Sequence, residues 1–302
     1  MNGIVSIIKP PGMTSHDVVS FIRKCTGIKR VGHTGTLDPG AVGVLPICIG
    51  KATKVADLIT SQQKQYRAEL KLGIITDTQD SDGKVLDIRK VSISKDALAD
   101  VIESFKGRIE QVPPMYSAVK VQGQKLYELA RKGIEIKREP RQIEIKDIRI
   151  IDIDDKNDTV LFDVTCSKGT YIRTLCFDIG KKLGCGAHMS FLLRTKSGMF
   201  DMEKSITLEQ FKQRIENESI NSILIPVDKI FEHHPQVVVT PIIEKKVLNG
   251  MQIPLNAIES KEHLKEGIQC RIYNAKGDFL CLSQIIKKPD HILYLKMVKS
   301  FF

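Results

Sequence analysis

The octet Gly32–Pro39 reads Gly-His-Thr-Gly-Thr-Leu-Asp-Pro. It sets one carboxylate, Asp38, in a glycine- and proline-bounded loop just ahead of the apolar run Val42–Ile49. Gly32 and Gly35 permit backbone angles closed to other residues, and Pro39 biases Asp38 toward an extended conformation. A loop of this kind can hold a carboxylate in one pose, as a nucleophile or an acid/base group requires. Taken alone, the Asp-Pro pair reads more plainly as an Asx-turn opening the next element. Arg173 falls in the first turn of an expected helix, where the macrodipole disfavours a cation, so a compensating anion is called for. Tyr66 opens an alternating strand and Leu192 lies in an apolar run, and on pattern both read as core. His33 is a lone histidine with no metal-ligand cluster around it. Asp77, Asp80, Asp82 and Gly83 superficially suggest a calcium loop. With Gly83 sixth, however, Thr78 would be first and Arg89 twelfth, and neither fits the ligand pattern.

The elements that must position these groups are legible in part. Thr14 or Ser15 caps a helix carrying Val18, Ile22 and Cys25 on one face, ended by Gly27. Tyr66, Ala68, Leu70 and Leu72 alternate as a strand with one buried face. The polar turn 76–83 leads to a hairpin partner over 84–88. Ser94 caps a second helix with Ala97, Leu98, Val101, Ile102 and Phe105 as its stripe. Residues 142–153 and 159–166 read as strands paired across the turn 154–158. A third helix over 171–183 buries Ile172, Leu175, Ile179 and Leu183. Thr207 and Gln210 form a capping-box signal for a fourth. Without a strict βαβ rhythm, the outcome is mixed α+β. The texture changes near 226–235, and a helix over 242–249 plus short strands suits a small barrel. The expected division is 1–230 and 231–302.

The chain has 302 residues, with 46 Lys and Arg against 36 Asp and Glu, a net charge of +10. That excess favours a polyanion partner. With no helix-length apolar run and no amphipathic basic helix, nucleic acid is a better expectation than membrane. The start of the chain lacks a basic region and a cleavage site, so a secretory signal is not expected. Seven cysteines without a Cys-x-x-Cys pair fit reduced thiols of a cytosol, mostly in core positions. The basic stretch 131–141, with Lys132, Lys137 and Arg138, is either a solvated face or a phosphate track.

Gly32–Gly50, closed by Val44-Leu45-Pro46-Ile47, resembles the catalytic motif of TruB-type tRNA pseudouridine synthases. Further matches follow in the family's order: residues 9–15, Lys64-Gln65-Tyr66, Thr76-Asp77-Thr78-Gln79-Asp80, the run 113–120, and residues 169–175. The resemblance covers nearly the whole chain. It implies a pseudouridine synthase fold with a mixed, largely antiparallel sheet and a C-terminal PUA-like RNA-binding barrel. It implies isomerisation of uridine 55 in the T loop of tRNA, with Asp38 as the catalytic carboxylate. Arg173 would then be the partner of Asp38, lowering its pKa. Tyr66 would stack on the target base and is a candidate to relay its C5 proton. Tyr171 and Leu192 would line the uracil pocket, and His33 would fill space left by extruded nucleotides. Lys9 and Pro10 would support the catalytic loop. The basic stretch would lie beside an insertion that grips tRNA.

The implied reaction has no redox change and no group donor, so no organic cofactor and no metal is expected. The tRNA T stem-loop is the expected partner, in the cytoplasm, with no membrane and no obligatory protein partner. Gly40 and Val42 depart from the bulkier and hydroxylated residues expected after the octet, which puts loop packing in question more than chemistry. Two rivals are a catalytically silent tRNA-binding protein and a guide-RNA-dependent, dyskerin-like synthase. The presence of Asp38, Tyr66 and Arg173 speaks against the first, and Val44–Ile47 with the compact length against the second.

Overall fold

A computed structural model describes residues 2–121, 123–217, 220–258, 264–289 and 291–302. In chain order the first half runs β1 (Gly3–Lys9), α1 (Ser15–Thr26), β2 (Val31–His33), β3 (Val42–Ile49), α2 (Ala56–Thr60), β4 (Lys64–Leu72), β5 (Ile74–Thr76), β6 (Val85–Ile88), α3 (Lys95–Glu103), β7 (Gly107–Gln111), β8 (Lys120–Val121), β9 (Gln124–Lys125) and α4 (Leu126–Ala130). Then come β10 (Arg141–Asp154), β11 (Thr159–Cys166), α5 (Ile172–Leu183), β12 (Ala187–Ser197), β13 (Phe200–Asp201) and α6 (Leu208–Asn217). The last part holds β14 (Gln236–Val238), α7 (Pro241–Leu248), β15 (Ile253–Pro254), β16 (Gln269–Tyr273), β17 (Phe279–Lys287) and β18 (Leu293–Ser300).

The larger sheet is ordered β1-β3-β12-β4-β11-β10-β7, with β2 alongside β3 and β13 alongside β12. Its ladders are antiparallel except between β12 and β3, which run parallel. Period-two alternation explains the centre of this sheet. Tyr66, Ala68, Leu70 and Leu72 of β4 are buried, while Arg67, Glu69 and Lys71 point to the half-exposed face. The helix ends follow local chemistry. Thr14 and Asp17 form a reciprocal capping box on α1, and Gly27 closes it in the left-handed region. Thr207 and Gln210 cap α6 in the same reciprocal way. Gly180 of α5 lies where an added Cβ would sit 2.2 Å from the Ala187 backbone nitrogen. Only glycine lets α5 come this close to the start of β12.

The second sheet, ordered β14-β16-β17-β18-β15, has its own apolar core with α7 and forms a curled, PUA-like unit. A separate cluster joins the two sheets, taking Ile4, Val44 and Cys48 from one, Leu282 and Phe301 from the other, and Phe231 from between. All seven cysteines are free thiols and six are buried. Among the described residues no helix is long and apolar enough to cross a membrane.

Candidate active site

The loop that carries Asp38 is fixed from three directions. Ser15, at the start of α1, accepts from the Leu37 N–H (2.9 Å) and donates to the Leu37 carbonyl (3.2 Å). Lys9 of β1 is fully buried and its ammonium donates to the carbonyls of Pro10 (2.8 Å), Met13 (2.7 Å) and Pro39 (3.0 Å). Burial brings the Lys9 pKa down to about 8, against the pull of the Asp38 charge. From β12, the buried Arg194 donates to the carbonyls of Val44 (2.7 Å), Gly35 (3.2 Å) and Thr36 (3.5 Å). Gly43 lies beside it at φ 115°, where a Cβ would sit 2.3 Å from the Arg194 carbonyl. Asp38 is thus held from both sides through backbone groups that its neighbours pin down. The substitutions at Gly40 and Val42 are accommodated: Gly40 is exposed and Val42 half-buried at the start of β3.

Arg173, on the first turn of α5, reaches this carboxylate. Its Nη2 lies 3.3 Å from Asp38 Oδ2 and 3.4 Å from Oδ1, and donates to the Tyr116 carbonyl at 2.6 Å. Its Nη1 lies 3.3 Å from Oδ2 of a second carboxylate, Asp80. The anion that the helix dipole called for is therefore a pair. Asp80 is anchored by Thr78, whose hydroxyl donates to its Oδ1 at 2.5 Å, and by the Asp82 N–H at 3.2 Å. Gln79 beside it is in the left-handed region at φ 65°, with its side-chain oxygen accepting from Thr174 of α5 (2.7 Å) and its carbonyl from the Met189 N–H (3.0 Å).

The structure corrects the sequence expectation for Asp38. Its pKa is raised, not lowered. Withdrawal from water is the largest cause, Arg173 and Lys9 oppose it, and Asp80 and Asp82 add to it. The side chain still keeps 37% of its surface open, whereas Arg173 keeps 7%. The carboxylate is walled in by protein and reachable from one side.

Tyr66 and Arg194 are direct partners in the β4–β12 ladder, as are Ala68 and Leu192, so all four share one face of the sheet. Tyr66 and Leu192 are buried, as a core reading expects, and Arg194 stands against the phenol. Burial raises the Tyr66 pKa, and the Arg194 charge partly offsets it. Tyr171 is half-buried at the cap of α5, immediately before the arginine turn. Its backbone N–H donates to Gln111 Oε1 (2.8 Å), and its carbonyl accepts from Gln111 Nε2 (3.1 Å). His33 is the last residue of β2, half-buried, with its pKa lowered by burial and by the Arg194 charge.

Three contributors escaped the sequence reading. Asp80 stands in a family motif and in a would-be calcium loop, and neither points to Arg173. Arg194 sits in a run whose alternation gives no hint that a charge points inward. Gln111 ends a short strand 60 positions from its partner. The capping pattern of α5 held the one usable signal, because Tyr171 offers no capping side chain and the helix must be held from outside.

Comparison with known proteins bears on the family and the fold. The "TruB family pseudouridylate synthase (N terminal domain)" description matches residues 23–172, and the "tRNA pseudouridylate synthase B C-terminal domain" description matches residues 173–232. A tRNA pseudouridine synthase B of Alkaliphilus oremlandii (strain OhILAs) is 50% identical over 303 residues, spanning 100% of this chain and 99% of its own. That of Clostridioides difficile (strain 630) is 46% identical over 311 residues and 100% of both chains. Among solved structures, a Cbf5–Nop10–Gar1 complex is similar at TM-score 0.72 and 29% identity, over 99% of this chain and 85% of that one. An H/ACA RNP bound to a substrate RNA containing 2′-deoxyuridine is similar at TM-score 0.71 and 27% identity, over the same shares. A carboxylate held against a buried arginine beside a buried tyrosine, on a sheet of this order and with this likeness along its length, places the chain in the TruB family of pseudouridylate synthases.

Proposed function

We propose that the protein isomerises uridine 55 in the T loop of tRNA to pseudouridine, with Asp38 as the catalytic carboxylate. The reaction breaks the bond between uracil N1 and ribose C1′, turns the base, joins C5 to C1′ and moves the C5 proton to N1. Negative charge develops on the departing uracil while C1′ becomes electron-poor. Ionised Asp38 answers this by bonding to C1′ or by taking a ribose proton, and either role ends with the carboxylate regenerated. Arg173 keeps Asp38 charged and aimed. Tyr66 stacks on the flipped base, a contact worth about 1–3 kcal/mol. Tyr171 and Leu192 line the uracil pocket, and His33 fills the space that the extruded nucleotides leave.

The observation that carries this reading is Arg173 gripping both oxygens of a carboxylate that remains open on one side. The relatives that match along the full length are named for tRNA, which favours tRNA over a guide-assembled target. On this reading residues 1–230 carry the chemistry, residues 231–302 add a second RNA contact, and the enzyme works in the cytoplasm without a protein partner. Neither organic cofactor nor metal enters the bond changes. Purified protein incubated with an unmodified tRNA transcript in chelator, without guide RNA, should give pseudouridine at position 55 alone. Product at another position overturns the site assignment, and product only in the presence of guide RNA overturns the tRNA reading.

A further inference from the structure

Arg173 is poorly placed by its own helix. It sits in the first turn of α5, against the dipole, and the cap residue Tyr171 makes no side-chain capping bond. A helix end in that condition frays, and a catalytic arginine on it would wander. What holds the turn is Gln111, the last residue of β7, which is buried with 3% of its surface exposed. Its carboxamide accepts from the Tyr171 N–H and donates to the Tyr171 carbonyl, at 2.8 and 3.1 Å. Glutamine is one of the few side chains able to give and take at once, in the way a neighbouring strand would.

Gln111 also stands at a junction. It pairs with Arg141 in the β7–β10 ladder, so these two residues form the neck from which 112–140 emerge. Within that segment the Tyr116 carbonyl accepts from Arg173 Nη2, and Arg138 donates to the Pro113 carbonyl at 3.3 Å across the base. The neck and the arginine turn are therefore joined twice, through Gln111 to Tyr171 and through Tyr116 to Arg173. We infer that Gln111 is a positioning residue for the reaction: its carboxamide locks the Tyr171–Arg173 turn, and with it the aim of Arg173 at Asp38, to the root of the 112–140 insertion. This deepens the reading above and rests on it.

The test uses the full-length protein with the Gln111→Glu and Gln111→Ala variants, on an unmodified tRNA transcript. Glutamate keeps the shape and the acceptor but cannot donate to the Tyr171 carbonyl; alanine removes both bonds. kcat, KM and the pH-rate profile are measured on protein whose folded fraction is set by circular dichroism. The acid limb of that profile reports Asp38, which is faced by Lys9 of β1, by Arg173 of α5, and by Asp80 and Asp82 of the turn after β5. Loosening Arg173 removes the nearest opposing positive charge, so the limb should move to higher pH. The expected result for both variants is a kcat lower by about 10- to 100-fold, KM within about twofold, and that upward shift. A role confined to folding would reduce the folded fraction and leave kcat per folded molecule and the limb unchanged. That outcome in Gln111→Glu overturns the inference, whether or not the alanine variant folds. An inactive parent protein would instead overturn the tRNA reading itself.

Discussion

At the scale of the residue, the site is one arginine shared by two carboxylates. Burial raises the pKa of Asp38 most, Arg173 opposes it, and Asp80 adds to it. Changes to these partners should therefore move the acid limb of the pH-rate profile in opposite directions. Arg173→Lys loses the planar fork, so the limb should rise in pH and kcat fall by about 100-fold. Asp80→Asn should move the limb to lower pH. A stopped-time assay of pseudouridine formation across pH reads both, and shifts of the same sign would contradict this electrostatic picture. The same raised pKa has a consequence for stability. The fold favours the protonated form of Asp38, so its contribution is fully present below the unfolded carboxylate pKa and is lost as pH rises through the folded value. Asp38→Asn should therefore melt above the parent at neutral pH, by about 2–4 °C for each kcal/mol relieved. The gap should close as the pH is lowered.

At the scale of the element, the catalytic loop is shaped less by its own sequence than by what reaches into it. Lys9 illustrates the point. Lys9→Met would leave the carbonyls of Pro10, Met13 and Pro39 without their shared donor, a cost of about 1–3 kcal/mol for a buried unsatisfied group. The melting temperature should fall by several degrees, and kcat should fall with it. An unchanged kcat in the folded variant would show that the loop keeps its shape unaided. The elements themselves were largely legible. Capping residues marked α1, α3 and α6, and alternation marked β4, β10 and β11, because these signals are local. Asp38, Tyr66 and Arg173 were legible as well, through their family motifs. Arg194 and Gln111 were not, since each acts through backbone groups far along the chain. The sign of the Asp38 shift was not legible either: burial outweighs Arg173, and both the burial and the approach of Asp80, which adds to it, exist only once the sheet is folded.

At the scale of the molecule, the two sheets are riveted together. Phe231 lies 6.1 Å from the rings of both Phe279 and Phe301, and those two stack at 5.1 Å. Tyr273 donates to Asp228 at 2.7 Å, and Lys54 of the first unit donates to the Ser300 carbonyl at 2.8 Å. The change of texture near 226–235 was visible in the sequence, but this cluster was not, because its members come from both ends of the chain. Phe231→Ala should cost about 3–5 kcal/mol at the junction. Calorimetry should then resolve two melting transitions where the parent shows one. A single transition in the variant would mean that the contact does not couple the units.

The central claim is that catalysis depends on the charge of one carboxylate. Its most direct test compares the parent and Asp38→Asn in single-turnover reactions on an unmodified tRNA transcript, with affinity measured on the same samples. The account predicts a rate lower by on the order of 10⁴-fold or more, with affinity changed by no more than about threefold. An asparagine variant that forms pseudouridine at the parental rate would contradict it.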